Sequence, residues 1–187
     1  MFEKPRDRCV LVSPLHAYED MDGLLCLLRE VRSATGVEGG PSCGMRVYAF
    51  LGEGNWLAKV NLRNLFSSKR ALLFKALETD LEAFRPGAQE RIERIVFGGE
   101  YLCEVFPYDA ASSLDPDEAK TTLQLALAAA AQAVNQERVS AKPGKAENER
   151  YAFRCWMVRM GLVGDEYKPM CRRFLKRLPG DSATKAG

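Results

Sequence analysis

Apolar and polar positions alternate with two different periods in the first half of the chain. Over residues 18–32 the apolar residues recur every three or four positions, which predicts an amphipathic helix. Short apolar runs at 9–12 and 46–51 predict strands. The segment 56–62 alternates and follows the turn sequence GEGN, so we expect it to pair with 46–51 as a hairpin. A second helix is predicted over residues 64–77.

A further hairpin is predicted near the middle of the chain. Two alternating apolar runs over residues 91–108 flank Gly98 and Gly99, which suit a tight turn between strands. The resulting order, β-α-β-β-α-β-β, predicts an α+β fold over residues 1–110, built from βαββ-like units. Duplication of one such unit is a hypothesis, because the two halves share few identical residues.

The pattern becomes helical after residue 110. Asp115 and Pro116 are typical of a helix start, because an aspartate caps the first backbone N–H groups and proline suits the first helical position. The predicted helix runs to about Val139. Two more helices are predicted over 147–161 and 165–178, joined by a short connection. Residues 111–187 are therefore expected to form a three-helix region.

Charge is unevenly distributed along the chain. The formal net charge is +2, yet residues 137–187 carry 12 Lys and Arg against 6 Asp and Glu, a net of +6, and the preceding residues carry −4. No stretch approaches 18 apolar residues, and no apolar run follows the charged N-terminus, so neither a membrane span nor a secretory signal is expected. We expect a cytoplasmic protein.

The positive charge is concentrated on the last two predicted helices, which resemble a helix-turn-helix in their order and short turn. The expected nucleic-acid or partner-binding residues are Arg150, Arg154, Lys168, Arg172, Arg173, Lys176 and Arg177. Five of them, from Lys168 to Arg177, are predicted to share one side of the last helix, opposite apolar residues. A basic helix is also often only a solvated face. Asp165 and Glu166 at its start would repel phosphate, so binding without sequence preference is expected.

Residue types that support catalysis or metal binding are sparse. The cysteines are well separated and form no CxxC pair: Cys9, Cys26, Cys43, Cys103, Cys155 and Cys171. We expect reduced and mostly buried thiols, since zinc sites usually contain close-spaced Cys and His pairs and the only histidine is His16. Asp115, Asp117 and Glu118 are explained as a helix start. The chain is therefore expected to lack catalytic activity, a metal and a cofactor. Trp56 and Trp156 both fall at positions predicted to face the core.

The C-terminal 50 residues, from ENERYAFRCWMVRMG to LPGDSATK, carry a specific combination of residues. The positions that match are Tyr151, Ala152, Phe153, Arg154, Gly161, Gly164, Glu166, Tyr167, Lys168, Gly180, Ser182 and Ala183. This segment resembles an uncharacterised "virulence-related protein" family found on conjugative and other mobile elements of Firmicutes. The chain departs from that family at Pro169 and Pro179. Pro169 predicts a last helix that starts later, near Lys168, which disturbs a helix-turn-helix geometry.

The resemblance implies a setting, a bacterial cytoplasm and a mobile element or phage, and two hypotheses fit it. In the first, the chain binds nucleic acid or a nucleoprotein through its basic helices. In the second, it is an anti-defence protein of anti-CRISPR or anti-restriction type that binds a host nuclease. Mimicry of DNA would then need a contiguous acidic patch from Glu78, Asp80, Glu82, Glu90, Glu93, Glu100 and Glu104. A third reading is that the basic helix docks inside a homo-oligomer.

Overall fold

The computed structural model describes residues 17–35, 47–52, 54–77, 102–106 and 115–183. A short 3-10 turn, Tyr18–Asp20, leads into the first helix. The elements are α1 (Met21–Thr35), β1 (Val47–Phe50), α2 (Trp56–Ser68), α3 (Arg70–Leu77), β2 (Leu102–Phe106), α4 (Pro116–Asn135), α5 (Glu149–Arg159) and α6 (Lys168–Lys176). The described part of the chain is mostly helical. The predicted α+β fold of βαββ-like units is therefore wrong.

The segment 56–62, predicted as a strand, forms the first turns of α2. Its start is set by Asn55, whose side chain accepts a hydrogen bond from the Ala58 backbone N–H at 3.0 Å. The residues that α2 buries include Ala58, Leu62 and Leu65, at the helical spacing of four and three. The alternation was misleading because three of the large apolar residues of this segment, Trp56, Leu57 and Val60, are exposed. Trp56 is 69% exposed, so the prediction that it faces the core is wrong.

The single helix predicted over 64–77 is divided at Lys69. This residue has non-helical angles, φ −119° and ψ 12°, and its N–H bonds to the Phe66 carbonyl at 3.2 Å, so α2 ends there and α3 begins at the next residue. The predicted hairpin over 91–108 lies outside the described residues except for β2. That strand pairs antiparallel with β1, with Ala49 opposite Cys103. The predicted strand at 9–12 also lies outside the described residues.

The three predicted C-terminal helices are present, but α4 ends at Asn135, before the predicted Val139, and α6 covers only Lys168–Lys176 of the predicted 165–178. Asp115 caps α4 by accepting from the N–H groups of Asp117 and Glu118, as expected. The connection between α5 and α6 spans residues 160–167, longer than the three or four residues typical of a helix-turn-helix. A 3-10 turn, Asp165–Tyr167, takes up its last part, and α6 begins at Lys168 as Pro169 predicts.

The main hydrophobic core joins β1, α2 and α3 to the C-terminal helices. Phe153 and Phe174 lie at its centre with almost no exposure, and their rings meet edge to face with centroids 6.2 Å apart. Trp156 is 6% exposed and stacks at a tilt against Phe153, at 5.3 Å, which confirms its predicted core position. α6 is thus anchored on α5 by large aromatic side chains.

One buried amide connects α2 to the end of α4. Asn61 is 1% exposed, and its Nδ2 donates to the carbonyl oxygens of Ala133, at 3.2 Å, and Gln136, at 2.6 Å. Its Oδ1 accepts from the Val139 N–H at 3.0 Å. These bonds satisfy backbone groups that the end of a helix leaves unpaired. They also fix the chain direction where α4 gives way to the connection that leads to α5.

Candidate nucleic-acid interface

Helix α6 has an apolar face and a cationic face. Met170, Phe174 and Leu178 are buried against the core. On the opposite side, Lys168, Arg172 and Lys176 are exposed and follow each other at intervals of four residues. Residues at this spacing lie about 6 Å apart along a helix axis and form one ridge. We call these three residues the α6 stripe.

The other two basic residues of α6 are turned toward the protein. Arg173 forms a salt bridge with Glu118 in the first turn of α4, and its side chain is only 27% exposed. Arg177 Nη1 donates to the carbonyl oxygen of Ala76 at 3.0 Å, near the end of α3. These guanidinium groups hold α6 against α4 and α3. Arg173 and Arg177 therefore stabilise the packing of α6 and do not belong to the α6 stripe.

The two predicted arginines of α5 hold the C-terminal tail. Arg150 Nε donates to the Leu178 carbonyl at 2.8 Å, and Arg154 Nη1 donates to the Ser182 carbonyl at 3.0 Å. After α6 ends, the tail therefore lies along α5 and follows the same direction, from Arg150 toward Arg154. Arg154 remains exposed and Arg150 is half-buried. Arg154 can therefore still face a ligand while it holds the tail.

The α6 stripe contains the cations with the fewest internal contacts. Lys168 Nζ lies 2.6 Å from Asp165 Oδ1, but both side chains are largely exposed, and such surface pairs contribute little. Arg172 and Lys176 have no acidic or hydrogen-bonding partner among the described residues. Because both side chains are exposed, an external anion can approach them without displacing a partner among the described residues.

Two further basic residues interact electrostatically across the fold, which the sequence does not predict. Lys69 and Arg159 come from distant parts of the chain and lie at the α2–α3 junction and at the end of α5. Burial, and then the nearby positive charge of Arg159, lower the pKa of Lys69 below its usual range. Neither residue follows an amphipathic pattern that would mark it. Only the tertiary packing of the helices brings them together.

An apolar patch lies on α2 and at the end of β1. Phe50, Trp56, Leu57 and Val60 are between 37% and 69% exposed. Exposed aromatic and aliphatic side chains in one region are typical of protein contact surfaces.

The described residues offer little for metal or thiol chemistry. Among them no group of three or more His, Cys, Asp and Glu side chains could hold a metal ion. Burial raises the pKa of the Cys171 thiol, which favours its protonated form. Cys26 is exposed, and Cys155 and Cys171 are half-buried, so the expectation of mostly buried thiols is wrong for the described cysteines. His16, Cys9 and Cys43 lie outside the described residues.

The acidic patch required for DNA mimicry lies outside this part of the chain. Residues 78–100 are not described, and β2 is described for its backbone only, which includes Glu104. The anti-defence hypothesis and the homo-oligomer reading therefore stay predictions. No helix in the described ranges is long and apolar enough to cross a membrane.

Comparison of the chain with protein family models, with curated proteins and with solved structures finds no match. The resemblance of the C-terminal segment to the "virulence-related protein" family therefore stays a prediction.

Proposed function

We propose that the protein binds nucleic acid through the phosphate backbone, without reading its sequence, and that the α6 stripe makes the main contacts. The observation that carries this proposal is the ridge formed by Lys168, Arg172 and Lys176, whose last two charges have no partner among the described residues. Lys and Arg side chains that protrude from a rigid helix neutralise phosphates and release bound counterions.

The surroundings of α6 favour backbone contacts over base contacts. A recognition helix places its N-terminal residues against base edges in the major groove. Here Asp165 and Glu166 are exposed directly before α6, and their negative charges would meet the phosphates that border a groove. The first turn of α6 contains Lys168, Pro169 and Met170, so a single lysine is the only base-reading side chain that it offers. We therefore infer that the side of α6 that carries the stripe lies along the phosphate backbone of the nucleic acid.

The proposal predicts a definite dependence on salt. Three phosphate contacts give a slope of about −2.7 in a plot of log K against log salt for duplex DNA, at ~0.9 per contact. Between 50 and 200 mM salt, this slope reduces the affinity by roughly 40-fold. Reversal of two stripe charges removes about two phosphate contacts and adds repulsion. The slope should therefore become shallower, at about −0.9, or binding should vanish.

The test uses a charge-matched pair of variants of the full chain. The test variant is Arg172→Glu/Lys176→Glu, which reverses two exposed charges that have no internal partner. The control variant is Arg63→Glu/Arg138→Glu, which makes the same change in net charge at exposed positions on α2 and just after α4. Binding to a duplex and to single-stranded DNA and RNA is measured by fluorescence anisotropy over a salt series. Equal weakening by both variants would show that net charge alone, rather than the α6 stripe, is responsible.

The setting expected from the resemblance, a bacterial mobile element, supports this proposal, since such elements encode accessory proteins that act on nucleic acid. The same setting would suit an anti-defence protein. No contact among the described residues favours that second function.

A further inference from the structure

An exposed aromatic ring lies at each end of the turn that joins β1 to α2. Phe50, the last residue of β1, is 48% exposed, and Trp56, the first residue of α2, is 69% exposed. Asn55 closes the turn between them, because its Nδ2 donates to the Leu51 carbonyl at 3.1 Å. Its backbone N–H also donates to the Gly52 carbonyl at 3.3 Å. The two rings are therefore attached to neighbouring parts of one hydrogen-bonded segment.

Neither ring is used inside the described part of the protein. Trp56 and Phe50 form no ring contact and no cation–π contact with a described residue. By contrast, Trp156 packs against Phe153 with ring centroids 5.3 Å apart. Large aromatic side chains are normally mostly buried, because their transfer out of water is favourable. The exposed rings therefore offer flat apolar surfaces on which another planar group can stack.

The area of the apolar patch favours a small occupant. Phe50, Trp56, Leu57 and Val60 are between 37% and 69% exposed, so together they offer on the order of 400 Å². A specific protein interface usually covers about 800 Å² on each partner. The patch by itself is thus too small for a stable contact with a second copy of the chain, whereas a nucleobase fits it.

The charge near the patch favours an anionic occupant. Lys59 lies one turn after Trp56 on α2, and its ammonium group forms no ion pair or hydrogen bond with a described residue. The described residues from Val47 to Ser68 include no Asp or Glu, and Glu53 lies outside them. Exposed aromatic rings beside positive charge are typical of surfaces that bind single-stranded nucleic acid.

We propose that Phe50 and Trp56 form a stacking platform for unpaired bases of single-stranded nucleic acid. This inference rests on the proposed function and names the single strand as the preferred form. An unpaired base can stack on the Trp56 ring while Lys59 attracts a neighbouring phosphate. The bases of a duplex are paired and stacked on each other, so they do not reach the platform. Every base has a flat π-face, so stacking agrees with binding that does not read the sequence.

The test compares variants of Trp56 in the full chain. Binding to a single-stranded oligonucleotide of mixed sequence and to its duplex is measured by fluorescence anisotropy at one salt concentration. Trp56→Leu keeps an apolar side chain but removes the aromatic ring, and Trp56→Phe keeps a ring. We expect Trp56→Leu to weaken single-strand binding by about 5- to 150-fold, the loss that corresponds to ~1–3 kcal/mol for one stacked base. Trp56→Phe should restore most of this affinity, and duplex binding should be the same for all three proteins.

Three controls separate stacking from other effects. Val134→Ala shortens a side chain that is 44% exposed at the end of α4, outside the patch, and should leave both affinities unchanged. The single strand should quench part of the fluorescence of the full chain but not that of Trp56→Phe, whose remaining Trp156 is buried. Stacking on an uncharged ring releases no counterions, so Trp56→Leu should have the same salt slope as the full chain.

Several results would overturn the stacking platform. One is single-strand binding that Trp56→Leu leaves unchanged, and another is an equal loss of single-strand and duplex binding. A loss that Trp56→Phe does not restore would show that the contact is not aromatic stacking. Self-association of the full chain that Trp56→Leu abolishes, measured by analytical ultracentrifugation, would assign the patch to a second copy instead.

The variant Arg172→Glu/Lys176→Glu distinguishes failure of this proposal from failure of the proposed function. Single-strand binding that survives this variant but is lost in Trp56→Leu supports the platform and rejects the α6 stripe. Duplex binding that is lost in this variant, together with single-strand binding that Trp56→Leu does not change, supports the α6 stripe and rejects the platform. A chain that binds neither form at low salt rejects both.

Discussion

Replacement of Asn61 by alanine removes the amide that connects α2 to the end of α4. The side chain is 1% exposed and makes three hydrogen bonds, at 2.6, 3.0 and 3.2 Å, to backbone groups of Gln136, Val139 and Ala133. The loss of each bond leaves a backbone donor or acceptor without a partner in a place that water does not easily reach. Each such bond contributes ~1 kcal/mol, so we expect Asn61→Ala to lower the free energy of unfolding by about 3 kcal/mol.

Asn64 provides the matched control, because it lies one turn later on α2. Its Nδ2 donates a single bond, at 2.9 Å, to the Val139 carbonyl, and the residue is half-buried. Asn64→Ala should therefore cost about 1 kcal/mol. At ~2–4 °C per kcal/mol for a chain of this size, the melting temperature should fall by roughly 6–12 °C for Asn61→Ala and 2–4 °C for Asn64→Ala. Urea unfolding followed by circular dichroism measures the two free energies of unfolding, and thermal unfolding measures the two melting temperatures. Equal losses for the two variants would refute the reasoning.

The nearly isosteric change Asn61→Asp tests the direction of the hydrogen bonds. The carboxylate would face the carbonyl oxygens of Ala133 and Gln136, where the amide nitrogen now donates. Burial and these two oxygens would raise the pKa of the new carboxyl in the folded state, so the folded state would bind a proton more tightly than the unfolded chain. The stability of Asn61→Asp relative to wild type should therefore rise as the pH falls. A pH-independent difference would contradict the assigned geometry.

Further predictions concern the turns, the charge of α4 and the tryptophans. Gly180 has φ +102°, and a Cβ there would overlap the side chain of Asn148, which caps α5. Gly180→Ala should therefore lower the free energy of unfolding by about 1–3 kcal/mol in a urea titration. Gly144→Ala is the control, because no atom lies near a Cβ at that position. Burial acts to raise the pKa of Asp115, but two backbone N–H groups of α4 and a neighbouring guanidinium outweigh it, so this pKa lies below its usual 3.8. The stability that Asp115 adds relative to Asp115→Asn should be present at neutral pH and should decline as the pH falls through the lowered pKa of Asp115. Thermal unfolding at several pH values measures this decline. Trp56→Ala should change stability by less than about 0.5 kcal/mol and Trp156→Ala should cost about 3–5 kcal/mol, which chemical denaturation distinguishes.

Local signals in the sequence were sufficient to predict most helices. Asp115 and Pro116 mark the start of α4 through capping chemistry that needs no tertiary contact. Pro169 likewise indicates the start of α6, because proline suits the first turn of a helix. The strand prediction for the segment that begins at Trp56 was wrong because its apolar pattern does not follow the face that the helix buries. Its apolar residues include several that α2 leaves exposed, so hydrophobicity alone suggested a strand where Asn55 caps a helix.

The candidate site was only partly predictable. The concentration of Lys and Arg near the C-terminus is visible in the sequence, and Arg172 and Lys176 occupy the exposed face expected of them. The sequence cannot show that Arg173 and Arg177 are drawn inward, because their partners, Glu118 and the Ala76 carbonyl, come from distant helices.

The salt dependence of nucleic-acid binding is the most direct test of a binding surface on the α6 stripe. We expect a slope of about −2.7 for the full chain and an unchanged slope for Arg63→Glu/Arg138→Glu. For Arg172→Glu/Lys176→Glu we expect a slope of about −0.9 or no binding. A slope near zero for the full chain, or slopes that fall equally in both variants, would contradict a binding surface on the α6 stripe.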